Sequence, residues 1–109
     1  MIARSWRVGV AGLGTVGAAL VELLADRPDF APGGGRVAVT GVSARSRSLA
    51  RPAPVSKPRW FDDPVQFARS PDNDVFVELI GGSEGVAKDA VEAALAGGKP
   101  VVTANKALI

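Results

Sequence analysis

The residues of this chain best suited to chemistry form a turn near its start, Gly12-Leu13-Gly14-Thr15-Val16-Gly17. The three glycines are spaced as a dinucleotide-binding fingerprint requires, and each has its own job. Gly12 permits the tight turn out of a strand, and Gly14 lets the backbone approach a pyrophosphate with no Cβ in the way. Gly17 lets the following helix pack close to the strand. The helix start then offers unpaired N–H groups and a partial positive charge to the phosphates. The spacing alone is a weak signal. It gains weight here because a strand precedes it, a helix opens on it and a second strand follows. The plainer reading is a glycine-rich structural turn.

Cations are the second candidate group. From Phe30 through Phe61 there is no acidic residue, while Arg36, Arg45, Arg47, Arg51, Lys57 and Arg59 all fall in that stretch. An acid at the end of the second strand holds the ribose 2′-hydroxyl of NAD, whereas an arginine nearby accommodates the 2′-phosphate of NADP. The chain reads Val42-Ser43-Ala44-Arg45-Ser46-Arg47 at that point. NADP is therefore the expected cofactor, with NAD possible. Arg45 is the first candidate for the phosphate, and Arg47 and Lys57 come next. The alternative is that these arginines only solvate a loop. A third candidate is Lys106, in the run Thr103-Ala104-Asn105-Lys106 at the end of the last strand. A lysine there can neutralise a carboxylate, assist proton transfer or contact a cofactor. It can equally be a surface lysine at a helix start.

The elements that must position these groups are legible in the hydrophobic pattern. Trp6 to Ala11 reads as a buried strand and Gly14 to Ala25 as a helix, with Val16, Ala19, Leu20, Leu23 and Leu24 at helical spacing. Asp26, Pro28 and Pro32 to Gly35 end that helix in a loop, and Arg36 to Val42 is the second strand. Ser43 to Pro58, rich in Ser, Arg and Pro, reads as an irregular loop. Arg59 to Phe61 is a minimal strand. Asp62 or Asp63 can cap a short helix from Pro64 to Arg69. Val75 to Ile80 is a strand, punctuated by Gly81 and Gly82. Glu84 to Ala96 is a helix with Val86, Ala87, Ala90, Val91, Ala94 and Leu95 on one face, stopped by Gly97 and Gly98. Pro100 to Thr103 is a last strand, and Asn105 to Ile109 reads as the start of a further element. Alternating strands and helices imply an α/β fold with a doubly wound parallel sheet of Rossmann type. The expected strand order is 3-2-1-4-5 across about five strands.

Composition removes several other chemistries. The chain has 109 residues, 47% of them hydrophobic, and a formal net charge of +2, which suits one domain over residues 1–109. It has no cysteine and no histidine, so disulfides, thiolate metal sites and imidazole bases are absent, and no metal is expected. No apolar run reaches the roughly 18 residues of a membrane span, and the start of the chain lacks an apolar signal segment. A cytoplasmic protein with no membrane partner is expected. Aromatic residues make up 6%, and none is placed as a stacking platform, so nucleic acid is the least favoured partner.

Three segments carry a family resemblance: Val8-Gly9-Val10-Ala11-Gly12-Leu13-Gly14-Thr15-Val16-Gly17, Val77-Glu78-Leu79-Ile80-Gly81-Gly82, and Val101 to Ile109. Together they resemble the N-terminal NAD(P)-binding domain of homoserine dehydrogenases, over Arg7 to Ile109. The resemblance implies reversible reduction of aspartate 4-semialdehyde to homoserine, in amino-acid biosynthesis leading to threonine and methionine. It implies that Lys106 is the catalytic lysine and also touches cofactor. Gly12, Leu13, Gly14, Thr15, Val16 and Gly17 would form the pyrophosphate turn, and Arg45 would lie near the 2′-phosphate. Ile80, Gly81, Gly82 and Thr103 would supply backbone on the ribose and nicotinamide side. The family's substrate-binding and dimerisation region has no counterpart within these 109 residues. The chain is thus expected to be a fragment of a longer enzyme, to bind cofactor without turning over substrate, and to self-associate. The runner-up is the cofactor domain of another NADP-linked amino-acid or semialdehyde dehydrogenase, followed by a stand-alone nucleotide-binding module.

Overall fold

The computed structural model describes residues 5–27, 35–44, 58–80 and 85–104. The elements run β1 (Ser5–Ala11), α1 (Thr15–Asp26), β2 (Arg36–Ser43), β3 (Arg59–Trp60), α2 (Pro64–Arg69), β4 (Val75–Glu78), α3 (Val86–Ala96) and β5 (Val101–Thr103). The five strands form one parallel sheet in the order β3-β2-β1-β4-β5, as the alternation of strands and helices predicts. β1 lies at the centre, with Val10 opposite Val42 on one side and Val77 on the other.

The period of two along β1 sorts its side chains onto two faces. Val8 and Val10 join Leu13, Ala18, Val21, Val42 and Val77 in one apolar cluster, beneath α1. Ala11 joins Phe67, Ala68, Phe76, Ala90 and Ala94 in the other, beneath α2 and α3. On that second face Phe67 is the hub, stacked on Phe61 with centroids 4.5 Å apart and edge-on to Phe76 at 5.4 Å. Gly9 and Gly41 lie under its ring, and a Cβ at either would sit 2.8 or 2.6 Å from Phe67 Cε1. Two glycines side by side in neighbouring strands thus make the flat seat for one large aromatic.

Helix ends follow the local chemistry. Asp63 Oδ1 accepts the Val65 N–H at 2.9 Å, with Pro64 at the first helical position of α2. α3 ends in a Schellman arrangement: Gly98, at φ +75°, donates its N–H to Leu95 O at 2.9 Å, and Lys99 donates to Ala94 O at 3.0 Å.

Four expectations need correction. The buried face of α1 is Gly17, Ala18, Val21 and Leu24, while Val16 is 64% exposed and Leu23 is also exposed. The large apolar residues do recur at helical spacing, but the close approach of Gly17 to the preceding turn fixes the rotation of the helix. On α3, Ala87, Ala90, Val91 and Ala94 are buried, whereas Val86 and Leu95 face outward. β4 stops at Glu78 rather than Ile80, because the Glu78 side chain takes the Ile80 N–H at 2.7 Å. Of the loop predicted over Ser43 to Pro58, Ser43 instead ends β2, paired with Ala11, and residues 45–57 lie outside the described residues, as does the element start predicted over 105–109.

The amino-terminal edge of the sheet is closed by side chains from the 70–74 connection. Arg7 Nη2 pairs with Asp74 Oδ1 at 3.0 Å, its backbone N–H reaches Asp74 Oδ2 at 2.8 Å, and the Asp74 N–H returns to Arg7 O at 2.6 Å. That hydrogen bond to Asp74, and its charge, hold the Arg7 guanidinium above its ordinary proton affinity. Arg59 Nη1 pairs with Asp72 Oδ2 at 2.9 Å. Lys99 Nζ donates to Ala68 O at 2.8 Å, Ser70 O at 2.7 Å and Asn73 Oδ1 at 2.8 Å, using its full set of three donors.

Candidate functional site: the carboxyl edge of the sheet

The opposite edge is built from backbone. β1 ends at Ala11, and Gly12 turns the chain at φ +105°, a conformation that side chains rarely adopt. The Gly12 N–H donates to Ser43 O at 2.8 Å, tying the turn to the end of β2. On the other side, a Cβ at Gly12 would lie 2.5 Å from Leu79 O and 2.8 Å from Ile80 N, so the turn rests on the chain leaving β4. A Cβ at Gly17 would overlap the Gly12 carbonyl oxygen, so α1 meets the turn backbone to backbone. Leu13 is buried in the core and anchors the turn from below.

Gly14 differs from both. It is exposed, and a Cβ placed on it would meet nothing within 4 Å. Neither the turn nor the helix needs glycine there for its own packing. The open space lies at the N-terminus of a 12-residue helix whose N-cap supplies no side-chain hydrogen bond and whose first turn holds no acid. The first intrahelical bond is Ala18 N–H to Gly14 O at 2.9 Å. Thr15 and Val16, both exposed, therefore bring their N–H groups to an edge where the first turn of α1 itself holds no carboxylate to compete for them. Such a cradle fits a pyrophosphate. The described end of β2 is Ser43, buried and neutral, where an NAD-selective site would hold an acid.

The family model described as "Homoserine dehydrogenase, NAD binding domain" matches residues 12–109, beginning at the glycine turn. The chain belongs to this family. Homoserine dehydrogenase of Methylobacillus glycogenes is 42% identical over 104 residues, which is 94% of this chain and 25% of that protein. The chain spans about a quarter of the length of the curated relatives it matches. Among solved structures, homoserine dehydrogenase of S. aureus superposes with a TM-score of 0.83 at 26% identity, covering 96% of this chain and 27% of that one. A hyperthermophilic archaeal homoserine dehydrogenase in complex with NADPH shares the fold, with a TM-score of 0.74 at 23% identity over 96% of this chain and 37% of that one.

Within this homoserine dehydrogenase domain, the site residues read from sequence divide into two groups. Gly12, Leu13, Gly14, Thr15, Val16, Gly17, Ile80 and Thr103 all fall at the carboxyl ends of β1, β4 and β5. Gly12 touches Ile80, and Ile80 and Thr103 are joined through one intervening side chain. Arg45, Gly81, Gly82 and Lys106 lie outside the described residues, as do Arg47 and Lys57. Among the described residues no cluster of His, Cys, Asp or Glu could hold a metal ion, and no helix is long and apolar enough to cross a membrane.

The intervening side chain is Glu78, which the sequence reading names only as part of a motif. It is fully buried. The signal for it was present: it is the one charged residue in the apolar run Val75 to Ile80. An acid at the end of a strand covered on both faces must find donors or destabilise the core.

Proposed function

We propose that this chain is the cofactor-holding part of a homoserine dehydrogenase that uses NADPH in preference to NADH. The observation that carries the reading is the contrast among the three glycines. Gly12 and Gly17 are required by packing, while Gly14 is required by nothing in the protein itself and opens onto the helix start. A pyrophosphate supplies the missing reason. The N–H groups of the first turn of α1 would hold it, and Ile80 and Thr103 would border the dinucleotide on the β4–β5 side. The bound cofactor supplies hydride transfer, and the protein's part is to bind and orient. Lys106 would hold a proton or a positive charge at the carbonyl oxygen of the substrate, aspartate 4-semialdehyde, with homoserine as the reduced partner.

The preference for NADPH is supported by Ser43 in place of an acid and by Arg45 two residues on. The archaeal homoserine dehydrogenase with NADPH bound is consistent with it. In the longer enzyme the remaining substrate groups and the contacts between subunits would come from other parts of the chain. The isolated 109 residues would bind cofactor without turnover and associate with themselves, in a cytoplasmic setting.

The test is a fluorescence titration of the chain with NADPH and NADH. NADPH should bind more tightly, and Arg45→Ala should remove most of the difference. Gly14→Val should keep the thermal midpoint and weaken both nucleotides by about a hundredfold, because its side chain occupies the phosphate's space. Unchanged binding by Gly14→Val would sink the phosphate assignment, and tighter NADH binding would sink the preference.

A further inference from the structure

The buried carboxylate of Glu78 spans two segments at the site. Its Oε1 accepts the Ile80 N–H at 2.7 Å, and its Oε2 accepts the Thr103 hydroxyl at 2.5 Å. Glu78 and Thr103 are register partners at the ends of β4 and β5. The backbone ladder is already failing there, since the Ala104 N–H lies 3.4 Å from Glu78 O, well beyond the usual 2.9 Å or so. The side-chain bond therefore reinforces the two strand ends where the main-chain bond is long and weak.

The other bond works in a different direction. By capturing the Ile80 N–H two residues ahead, Glu78 ends the strand and turns the chain. That turn is the surface on which Gly12 rests, and the Leu79 N–H donates to Ala11 O at 2.8 Å. One carboxylate thus links the glycine turn of β1, the exit from β4 and the end of β5. Among the described residues its partners are these two neutral donors and no cation. For stability alone an apolar side chain is the simpler choice, because a buried polar group must recover its desolvation through hydrogen bonds. An apolar residue could not accept from both segments at once.

We propose that Glu78 is a positioning residue of the nucleotide site, fixing the β5 end Thr103–Ala104 relative to the phosphate turn. The inference rests on the nucleotide-binding reading above. A dinucleotide lies across the point where strand order reverses, with its adenosine half over the β2 side and its nicotinamide half over the β4–β5 side. The Thr103 bond of Glu78 acts on the second half, whereas the glycine turn is also held by its own bonds, Gly12 N–H to Ser43 O and Leu79 N–H to Ala11 O.

The experiment measures the affinity of the chain for NADPH and for the adenosine bisphosphate half of NADPH alone, with thermal melting alongside. Glu78→Gln keeps the shape of the side chain but gives it only one accepting oxygen. It should weaken NADPH about tenfold while leaving the adenosine half within about twofold. Thr103→Val should do the same, and Thr103→Ser, which restores the hydroxyl, should recover NADPH binding. A role confined to core stability would lower the melting temperature and leave the ratio of the two affinities unchanged in every variant, which overturns the proposal. Should Glu78→Gln fail to fold, the same ratio in the Thr103→Val and Thr103→Ser pair decides. If the unaltered chain binds neither ligand, the nucleotide reading falls and takes this one with it; if it binds both and the ratio never moves, only this one falls.

Discussion

The two edges of the sheet are built by different means. At the amino edge, side chains do the closing: Arg7 with Asp74, Arg59 with Asp72, and Lys99 with one oxygen of α2 and two of the α2–β4 connection. At the carboxyl edge, backbone packs on backbone at Gly12 and Gly17, and Glu78 is the principal side chain joining the strand ends. An edge closed by side chains has its polar groups spoken for and is suited to holding a fold. An edge closed by backbone keeps helix N–H groups available and brings main chain within reach of a ligand, which suits binding.

The largest expected effect breaks the carboxyl edge. Gly17→Val forces side-chain atoms into the Gly12 carbonyl and should cost about 3 kcal/mol or more, a large part of a small domain's stability. Urea denaturation should show a lost or strongly shifted transition; a change below about 1 kcal/mol would mean that the close approach is not required.

At the amino edge, Lys99→Met keeps the apolar stem but leaves three acceptors without their donor. A loss of about 1 to 2 kcal/mol in the same assay is expected, with nucleotide affinity unchanged. If nucleotide affinity fell together with stability, the separation of the two edges would be wrong. Arg59→Ala removes an exposed ion pair and a contact over the Phe61 ring at 4.7 Å. It should cost about 0.5 to 1 kcal/mol, and less in high salt.

The smallest effect is a pH dependence. Burial, opposed by Asp74 and reinforced by Arg7, lowers the proton affinity of Lys99 below its ordinary value of 10.5. The unfolded chain then binds this proton more tightly than the folded one. The contribution of Lys99 to stability should therefore be constant at neutral pH and rise slightly as pH climbs from the lowered value to 10.5. The difference in urea midpoint between the unaltered chain and Lys99→Met tests this, and a difference that shrinks across the window contradicts it.

The carboxyl edge was far more legible in the sequence than the amino edge. Glycine spacing is a local code, because Gly12, Gly14 and Gly17 act within one turn and their roles follow from the absence of a side chain. The clasp at the other edge joins residues far apart in sequence, such as Arg7 with Asp74, and no local pattern announces such a pair. Glu78 falls between these cases. Its type was visible as an acid in an apolar run, but its partner lies 25 residues away.

The sequence by itself determined the α/β alternation, the strand order, the glycine turn between β1 and α1 and the family, because each rests on short-range periodicity or on contiguous motifs. Tertiary structure decided the rotation of α1, which the contact of Gly17 with Gly12 sets against the pattern of its larger apolar residues. It also decided the paired glycine seat of Phe67, the end of β4 at Glu78 and the union of that carboxylate with Thr103. The seat of Phe67 and the union with Thr103 depend on distances between atoms of separate elements, which exist only once the sheet has brought them together. The rotation of α1 and the end of β4 depend on local backbone geometry that hydrophobic periodicity does not encode.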